Sequence, residues 1–302
     1  MKKILLTLVA TLIAIPALLA AKPGFTMWQL ASQEDNIGNS YVFLTDKGKV
    51  VVLDGGFRTQ DNYLRGVIQA LGNEVEAWFI SHPHNDHCGA LTQILEDQKA
   101  GGMKINNVYH SRFSESLTDC EQPYNQYARE FYAALDKAEK EGRLKVYDLH
   151  EESIGKEIKI DGMNIKILGV TNEELRTNPY NNSSMVMRVW DKNKSILFLG
   201  DAGIECGDKL YNRLEKEGKL DLLNCDYIQM AHHGQQGCSK EFYNSIKFNA
   251  CLWPTPTWVW TNDFGAGPGS GNLKTAETRQ WMDELGIKEH HATCLEGSWR
   301  LD

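Results

Sequence analysis

Short apolar runs rich in β-branched and aromatic residues alternate with amphipathic stretches along most of the chain. In the first half the predicted strands are residues 25–30, 40–45, 49–53, 77–80 and 107–110. The predicted helices of that half are residues 62–71, 89–98 and 121–143, the last with an apolar stripe typical of a helix packed on a core. Because strands and helices alternate, the pattern predicts an α/β layered domain.

The second half repeats this organisation with a longer set of strands. Its predicted strands are residues 145–149, 157–160, 163–170, 184–190, 195–199 and 227–230, with a polar helix at 208–217. Each half ends a run of strands with a polar residue of a metal-binding type in the following turn. No low-complexity segment or Ser/Pro-rich linker separates the halves, so residues 22–302 are expected to form one domain.

The amino terminus differs in character from the rest of the chain. Two lysines precede an almost continuous apolar stretch, residues 4–21, that ends in two alanines. This arrangement predicts a secretory signal peptide over residues 1–21 and an exported protein, periplasmic or secreted. The alternative of a membrane anchor is disfavoured because the stretch is only marginally long enough and contains Pro16. We expect no stable membrane span once the peptide is removed.

Charge and cysteine content narrow the function classes. The formal net charge is −8, and the mature chain is more acidic still because the removed segment carries two lysines. An acidic chain without a run of basic residues lacks the electrostatic footprint of a nucleic-acid-binding protein. The seven cysteines are an odd number, so at least one is unpaired within the chain. Neither the disulfide pairing nor the oligomeric state follows from the sequence.

One hexapeptide, H-P-H-N-D-H at residues 82–87, holds four potential metal ligands directly after a predicted strand. In an extended segment side chains alternate, so His82 and His84 point the same way and can reach one ion. Asp86 and His87 would lie in the first turn of the following helix and face a second ion nearby. Imidazole and carboxylate ligands favour Zn²⁺, Mn²⁺ or Fe²⁺ over Ca²⁺.

Further polar residues follow other predicted strands. Asp54 closes an early strand, Asp201 lies in a glycine turn after a buried strand, and His232 and His233 follow the strand at 227–230. A carboxylate such as Asp201 is expensive to bury unless it is paired or bound to metal. These residues supply what a two-metal site built on the hexapeptide lacks, namely a bridging carboxylate and one more imidazole.

The order of these residues resembles the metallo-β-lactamase superfamily. The matching set is Asp54, His82-x-His84-x-Asp86-His87, Asp201 and His232-His233-Gly234. The resemblance covers essentially the whole predicted mature chain and implies a four-layer αββα sandwich with two divalent ions, Zn²⁺ before Mn²⁺, at one edge between the sheets. Segments 181–186, 198–201 and 231–234 are most similar to a branch that contains the hydrolase domain of DNA-uptake channel proteins and the exported phosphorylcholine esterases.

The chain departs from the true β-lactamases at one point. They carry a further histidine in a loop before the bridging aspartate, whereas the corresponding loop here, residues 177–182, has none and places Asn182 there. His110 and His150 also precede Asp201, but neither lies in that loop. The resemblance implies a filled site of Asp86, His87, His232 and Asp201, and a weaker site of His82, His84, Asp201 and an amide oxygen of Asn182. We expect the first site to bind metal more tightly.

Two cations a few Å apart would lower the pKa of a bridging water and supply hydroxide near neutral pH. In this scheme Asp86 is a ligand and orients the water, Asp201 bridges the ions, and Asp54 holds a ligand imidazole or the backbone. The choice between His232 and His233 as ligand rests on strand-end position alone. With His232 as the ligand, His233 could protonate the leaving group.

The favoured function is hydrolysis of a phosphodiester, phosphoester or related ester, with a small-molecule or envelope-derived substrate. An extracellular nuclease is disfavoured by the acidic charge, a β-lactamase by the missing histidine, and a non-catalytic metal-dependent binding protein by the filled first site. The aromatic and glycine-rich segment 253–272 could form a substrate wall, or a tryptophan cage for a quaternary ammonium group, although packed tryptophans are commoner.

Overall fold

The computed structural model describes residues 24–97 and 102–302. The predicted signal peptide, residues 1–21, lies outside the described residues. Two β-sheets face each other and helices cover their outer faces, so the α/β fold is the four-layer αββα sandwich that the sequence predicts. Strands and helices are numbered below in chain order.

The first sheet comes from the amino-terminal half and one carboxy-terminal strand. Its strands are β1 (Phe25–Gln29), β2 (Ser40–Thr45), β3 (Val50–Asp54), β4 (Glu74–Phe79), β5 (Lys104–Ile105), β6 (Asn107–His110), β7 (Lys145–Asp148) and β15 (Trp299–Leu301). They lie in the order β15-β1-β2-β3-β4-β6-β7, with β5 beside β4. The helices of this half are α1 (Asp61–Ala70), α2 (Asn85–Glu96), α3 (Glu115–Thr118) and α4 (Asn125–Lys140). Strands β3, β4, β6 and β7 are parallel, so α1, α2 and α4 form the crossovers between them.

The second sheet follows the same principle. Its strands are β8 (Glu157–Ile160), β9 (Met163–Gly169), β10 (Val186–Trp190), β11 (Ser195–Phe198), β12 (Tyr227–Gln229), β13 (Ala250–Trp253) and β14 (Glu289–Ala292), in the order β14-β13-β12-β11-β10-β9-β8. The helices are α5 (Ile204–Lys216), α6 (Lys240–Asn244), α7 (Thr257–Thr261), α8 (Thr275–Glu284) and α9 (Thr293–Glu296). Strands β11 to β14 are parallel, with α5, α6 and α8 in the crossovers.

Central strands such as β3, β11 and β13 are buried on both faces because each face is covered. In β3, Val51 and Leu53 pack into the layer between the sheets, while Val50 and Val52 pack against the helices. Phe198 of β11 enters the inner layer from the opposite sheet and meets Phe43 edge-on at 5.9 Å between ring centroids. Burial on both faces explains why the strands appear in the sequence as continuous apolar runs.

Several boundaries differ from the sequence prediction. The helix predicted over 121–143 begins only at Asn125, and the helix predicted from 208 begins at Ile204.

No helix of residues 24–97 and 102–302 is long and apolar enough to cross a bilayer. All seven cysteines lie in these residues and none forms a disulfide.

Candidate metal centre

The polar residues singled out in the sequence lie at the carboxyl ends of parallel strands from both sheets. Asp54 is the last residue of β3, and His82 follows β4. Asp201 follows β11 of the second sheet, and His233 follows β12. Because the carboxyl ends of parallel strands lie at the same edge of a sheet, four separate segments meet at one end of the sandwich.

Four buried residues at this edge form a first group: Asp86, His87, Asp201 and His233. One side-chain oxygen or nitrogen from each lies within 4.8 Å of the others. His233 Nε2 is 2.9 Å from Asp86 Oδ2, and His87 Nε2 is 3.2 Å from Asp201 Oδ1. Asp86 and His87 come from the first turn of α2, and the other two come from the second sheet. Two imidazoles and two carboxylates around one point are a ligand set for Zn²⁺ or a similar cation.

A second group lies beside the first and consists of His82, His84 and Asp201. The extended backbone before α2 places both imidazoles on one side, with His82 Nε2 and His84 Nδ1 2.9 Å apart. Asp201 belongs to both groups, so its carboxylate can bridge two cations. The first group offers four residues and the second offers three.

Asp54 organises the first group from behind. Its carboxylate is fully buried and accepts hydrogen bonds from the Ser81 N–H at 2.7 Å and from Asn39 Nδ2 at 2.7 Å. His87 Nδ1 lies 2.9 Å from the same carboxylate. An imidazole that donates its Nδ1–H in this way presents the lone pair of Nε2 to the group. Asp54 therefore fixes both the ring orientation and the tautomer of His87.

The unpaired atoms of the first group fit a cation. Within the described part of the chain, the buried atoms His87 Nε2 and Asp201 Oδ1 have no hydrogen-bond partner. When His87 is neutral and donates its Nδ1–H to Asp54, these atoms are a lone pair and a carboxylate oxygen that face each other at 3.2 Å. Two buried acceptors at this distance repel each other unless a positive charge lies between them.

The pKa values of the same residues are shifted in the direction that places positive charge beside the carboxylates. Burial lowers the pKa of His233, but the carboxylates of Asp201 and Asp86 outweigh it and raise the pKa to about 10. Burial similarly opposes ionisation of Asp201, but His87 and His233 hold its pKa well below the usual range. In the absence of a metal, protonated imidazoles therefore neutralise the carboxylates. A divalent cation would take over this role and release the protons.

Comparison with known families agrees with this geometry. A family model described as the metallo-beta-lactamase superfamily matches residues 34–237 of the 302-residue chain. The chain belongs to the metallo-β-lactamase superfamily. The matched region contains every residue of both groups. A search of curated proteins gave no match.

Several solved structures are similar in fold over most of the chain. YhfI from Bacillus subtilis, described as a metallo-beta-lactamase fold protein, has a TM-score of 0.53 at 11% identity and covers 92% of this chain and 99% of its own. Unliganded yeast PDE1 has a TM-score of 0.50 at 11% identity, over 89% of this chain and 97% of its own. A mutant of CmlA beta-hydroxylase has a TM-score of 0.53 at 12% identity, over 92% of this chain and 54% of its own. Identities this low show a shared fold and leave the activity open.

Within the metallo-β-lactamase fold, the histidine pair after β12 has the opposite arrangement to the one predicted. His233 lies in the first group and His232 does not. Both residues have left-handed backbone conformations, with φ 53° and 56°, which turn the second side chain inward. His233 Nδ1 then lies 2.9 Å from the Pro254 carbonyl oxygen, and Thr255 Oγ1 donates to the His233 carbonyl at 2.6 Å. The structure therefore places His233, rather than the predicted His232, in the first group, because contacts with residues after β13 turn His233 inward.

His232 lies next to the first group without joining it. Its Nε2 is 3.9 Å from Asp201 Oδ2 and lies 3.2 Å from Asn181 Nδ2 and 3.0 Å from Gln235 Nε2. The side chain is 15% exposed, compared with 1% for His233. His232 is thus an imidazole held by two amides at the more open side of the centre.

Both polar atoms of the Asn182 side chain are hydrogen-bonded to backbone groups. Its Oδ1 accepts a hydrogen bond from the Cys206 N–H in the first turn of α5 at 3.0 Å, and its Nδ2 donates to the Thr177 carbonyl at 2.7 Å. These two bonds engage the side chain elsewhere, and the place of Asn182 at the second group stays a prediction. The preceding residue, Asn181, reaches the centre instead through His232. The two side chains diverge because they lie in one turn of 3-10 helix.

The two other candidates for that place also lie outside both groups. His110 is buried and packs edge-on against Phe131 at 5.8 Å between ring centroids. His150 is more than half exposed and its Nε2 is 3.4 Å from Asp148 Oδ2. Neither His110 nor His150 therefore supplies a third histidine to the second group.

Sequence reasoning missed several residues that contact the centre, among them Glu121, which contacts His84 of the second group. Its Oε2 lies 2.9 Å from His84 Nε2, on the opposite side of the ring from His82. The sequence assigned Glu121 to the start of a long helix, but α4 begins four residues later. No local sequence pattern predicts this contact, because it depends on how the segment that contains Glu121 packs against the segments of His84 and Tyr180.

The aromatic segment that begins at the end of β13 mostly packs within the fold. Trp253 is fully buried and meets Trp260 edge-on at 5.4 Å between ring centroids. Arg279 covers the Trp260 ring at 4.3 Å, so that face is already in use. Trp258 and Phe264 remain as a partly exposed pair, 5.8 Å between centroids. Trp253 and the covered face of Trp260 are therefore used in packing, whereas Trp258 and Phe264 are partly exposed.

Proposed function

We propose that this metallo-β-lactamase superfamily member is an exported metal-dependent hydrolase of phosphodiesters, phosphoesters or related esters. The observation that carries the proposal is the pair of adjacent groups that share Asp201. Divalent ions bound there would supply a water of lowered pKa and would stabilise negative charge on the substrate. Zn²⁺ is the expected ion, with Mn²⁺ the alternative, since the ligands are imidazoles and carboxylates.

The position of each residue at the centre indicates its proposed role. Asp86 and His233 face each other at 2.9 Å and would hold the first ion with His87 and Asp201. Asp54 keeps the Nε2 lone pair of His87 directed at that ion. With four residues against three, the first ion should be the more tightly held.

His232 is assigned the role that the sequence analysis gave to His233, namely a contact with the leaving group. It is the imidazole beside the first group, held by the amides of Asn181 and Gln235. We assign to it a contact with the substrate or its leaving group, because it is more exposed than any ligand of the first group.

The substrate class rests on two further arguments. The second group lacks the additional histidine of true β-lactamases, which weakens the case for a lactam. Two cations that share a carboxylate suit the displacement of an oxygen at phosphorus. Segments 181–186, 198–201 and 231–234 support the branch that contains DNA-uptake hydrolase domains and exported phosphorylcholine esterases. Fold similarity to both yeast PDE1 and CmlA beta-hydroxylase favours neither hydrolysis nor any other reaction.

A substrate panel tests the proposal. Bis-p-nitrophenyl phosphate, p-nitrophenyl phosphorylcholine, nitrocefin and single-stranded DNA would each be incubated with the protein, with and without chelator. We expect turnover of one of the two phosphoesters, its loss on chelation and its recovery with Zn²⁺ or Mn²⁺. Preferential cleavage of nitrocefin or of DNA would contradict the proposed phosphoester substrate. If no compound is turned over after metal has been added back, a binding protein is favoured.

Export is tested independently of activity. Expression of the full chain followed by fractionation and mass spectrometry should give a periplasmic or secreted protein whose amino terminus lies near residue 22. A membrane-bound product of full mass would support the anchor alternative. A full-length cytoplasmic product would contradict export.

A further inference from the structure

The second group is supported by a carboxylate that lies outside both sets of candidate ligands. Glu121 Oε2 is 2.9 Å from His84 Nε2, and Glu121 Oε1 accepts the Tyr180 N–H at 2.9 Å. The His84 ring also stacks on the Tyr180 ring, 5.0 Å between centroids at an interplanar angle of 29°. One carboxylate therefore joins His84 to the loop that lacks the superfamily histidine.

We infer that Glu121 is a positioning residue for the second ion, an inference that rests on the metal-dependent function proposed above. When His84 donates its Nε2–H to Glu121, the lone pair of Nδ1 is directed toward His82 Nε2, 2.9 Å away. Asp54 and His87 have the same relation in the first group, with the two ring nitrogens exchanged. Each group thus has one buried or half-buried carboxylate that sets the tautomer of one imidazole.

The second oxygen of Glu121 binds the loop of residues 177–182, which also contacts His232 at the open side of the centre. Tyr180 is fully buried and its hydroxyl donates to the Thr118 carbonyl at 2.6 Å. Asn181 follows directly and contacts His232. Glu121 therefore holds the loop of residues 177–182 against His84 and keeps Asn181 beside His232. These hydrogen bonds therefore support the group that has fewer candidate ligands.

Three variants test the inference: Glu121→Ala, Glu121→Gln and the control Asp119→Asn. Asp119 lies in the same segment, is half exposed, and pairs with Arg129 without contact to His84. Two quantities would be measured: Zn²⁺ affinities by competition with a chromophoric chelator, and histidine ring tautomers of the metal-free protein by two-bond ¹H–¹⁵N NMR. Glu121→Ala should weaken the second ion by roughly 10- to 100-fold and leave the first unchanged. The His84 signals should lose the Nε2–H pattern.

Glu121→Gln should give an intermediate loss, because its amide can accept only one of the two N–H groups with its oxygen. Asp119→Asn should behave as wild type in both measurements. Unchanged second-ion affinity and an unchanged His84 tautomer in Glu121→Ala would overturn the inference, and so would an equal loss of both ions. If the wild-type protein itself binds no second ion, the two-ion function fails instead.

Discussion

Replacement of His233 by asparagine, compared with the same change at His232, separates the two imidazoles of one dipeptide. Both residues have a left-handed backbone, which asparagine tolerates, so neither change strains the turn. His233 Nδ1 and Nε2 lie 2.9 Å from the Pro254 carbonyl and from Asp86 Oδ2. If asparagine restores neither contact, two buried acceptors are left unpaired, at about 1–3 kcal/mol each.

The effect on metal binding should be larger than the effect of a supporting residue. Loss of a supporting residue typically costs 10–100-fold in metal affinity. His233 is one of four direct candidates in its group. We therefore expect His233→Asn to weaken the first ion by at least about 100-fold, which is about 2.8 kcal/mol. His232→Asn should leave the affinity of that ion unchanged and lower kcat.

The assay is Zn²⁺ competition with a chromophoric chelator on both variants, followed by turnover of bis-p-nitrophenyl phosphate at saturating metal. Circular dichroism melts of the metal-free proteins would show that both are folded. The reasoning is refuted if His232→Asn loses the first ion while His233→Asn keeps it. An equal loss in both variants would refute it as well.

Three other outcomes follow from the same contacts. Asn182→Ala should lower stability by about 1–3 kcal/mol without a change in metal content, because it leaves the buried Cys206 N–H unpaired; a loss of the second ion would contradict this. Trp258→Ala should raise KM with kcat unchanged, whereas Trp253→Ala should cost about 3–5 kcal/mol of stability; the reverse pattern would show that the exposed ring is structural. Metal-free protein should lose stability as the pH rises. The folded pKa of His233, about 10, exceeds its ordinary 6.5, so its contribution is complete below about pH 6.5 and disappears as the pH passes about 10; melts that stay flat over this range would contradict it.

Most of the fold could be predicted because its strands are buried on both faces. Runs such as Val50–Asp54 and Ser195–Phe198 carry a clear apolar signal, and polar residues mark where they end. Strands β13, β14 and β15 were not predicted, and for β14 the reason is the opposite one. Strand β14, Glu289–Ala292, is an edge strand of the sequence Glu-His-His-Ala, with partly exposed side chains. It is a strand only because β13 offers it a partner, and that information is not local.

The site divides in the same way. Spacing within the hexapeptide was sufficient to expect His82 with His84, and Asp86 with His87, since both depend on backbone periodicity. The choice of His233 over its neighbour depends on contacts 21 and 22 residues away in sequence. Glu121 meets Tyr180 across 59 residues. Sequence patterns predict residues that share one element, whereas contacts between loops require the folded chain.

The central claim is that two ions sharing Asp201 carry out hydrolysis at this edge of the sandwich. The most direct test is a titration of chelator-stripped protein with Zn²⁺, and in parallel with Mn²⁺, while turnover of bis-p-nitrophenyl phosphate and p-nitrophenyl phosphorylcholine is followed. We expect no turnover without metal and a rise that reaches its plateau only as the second, weaker ion binds. Full turnover in the absence of metal, or none at any metal concentration, would contradict the claim.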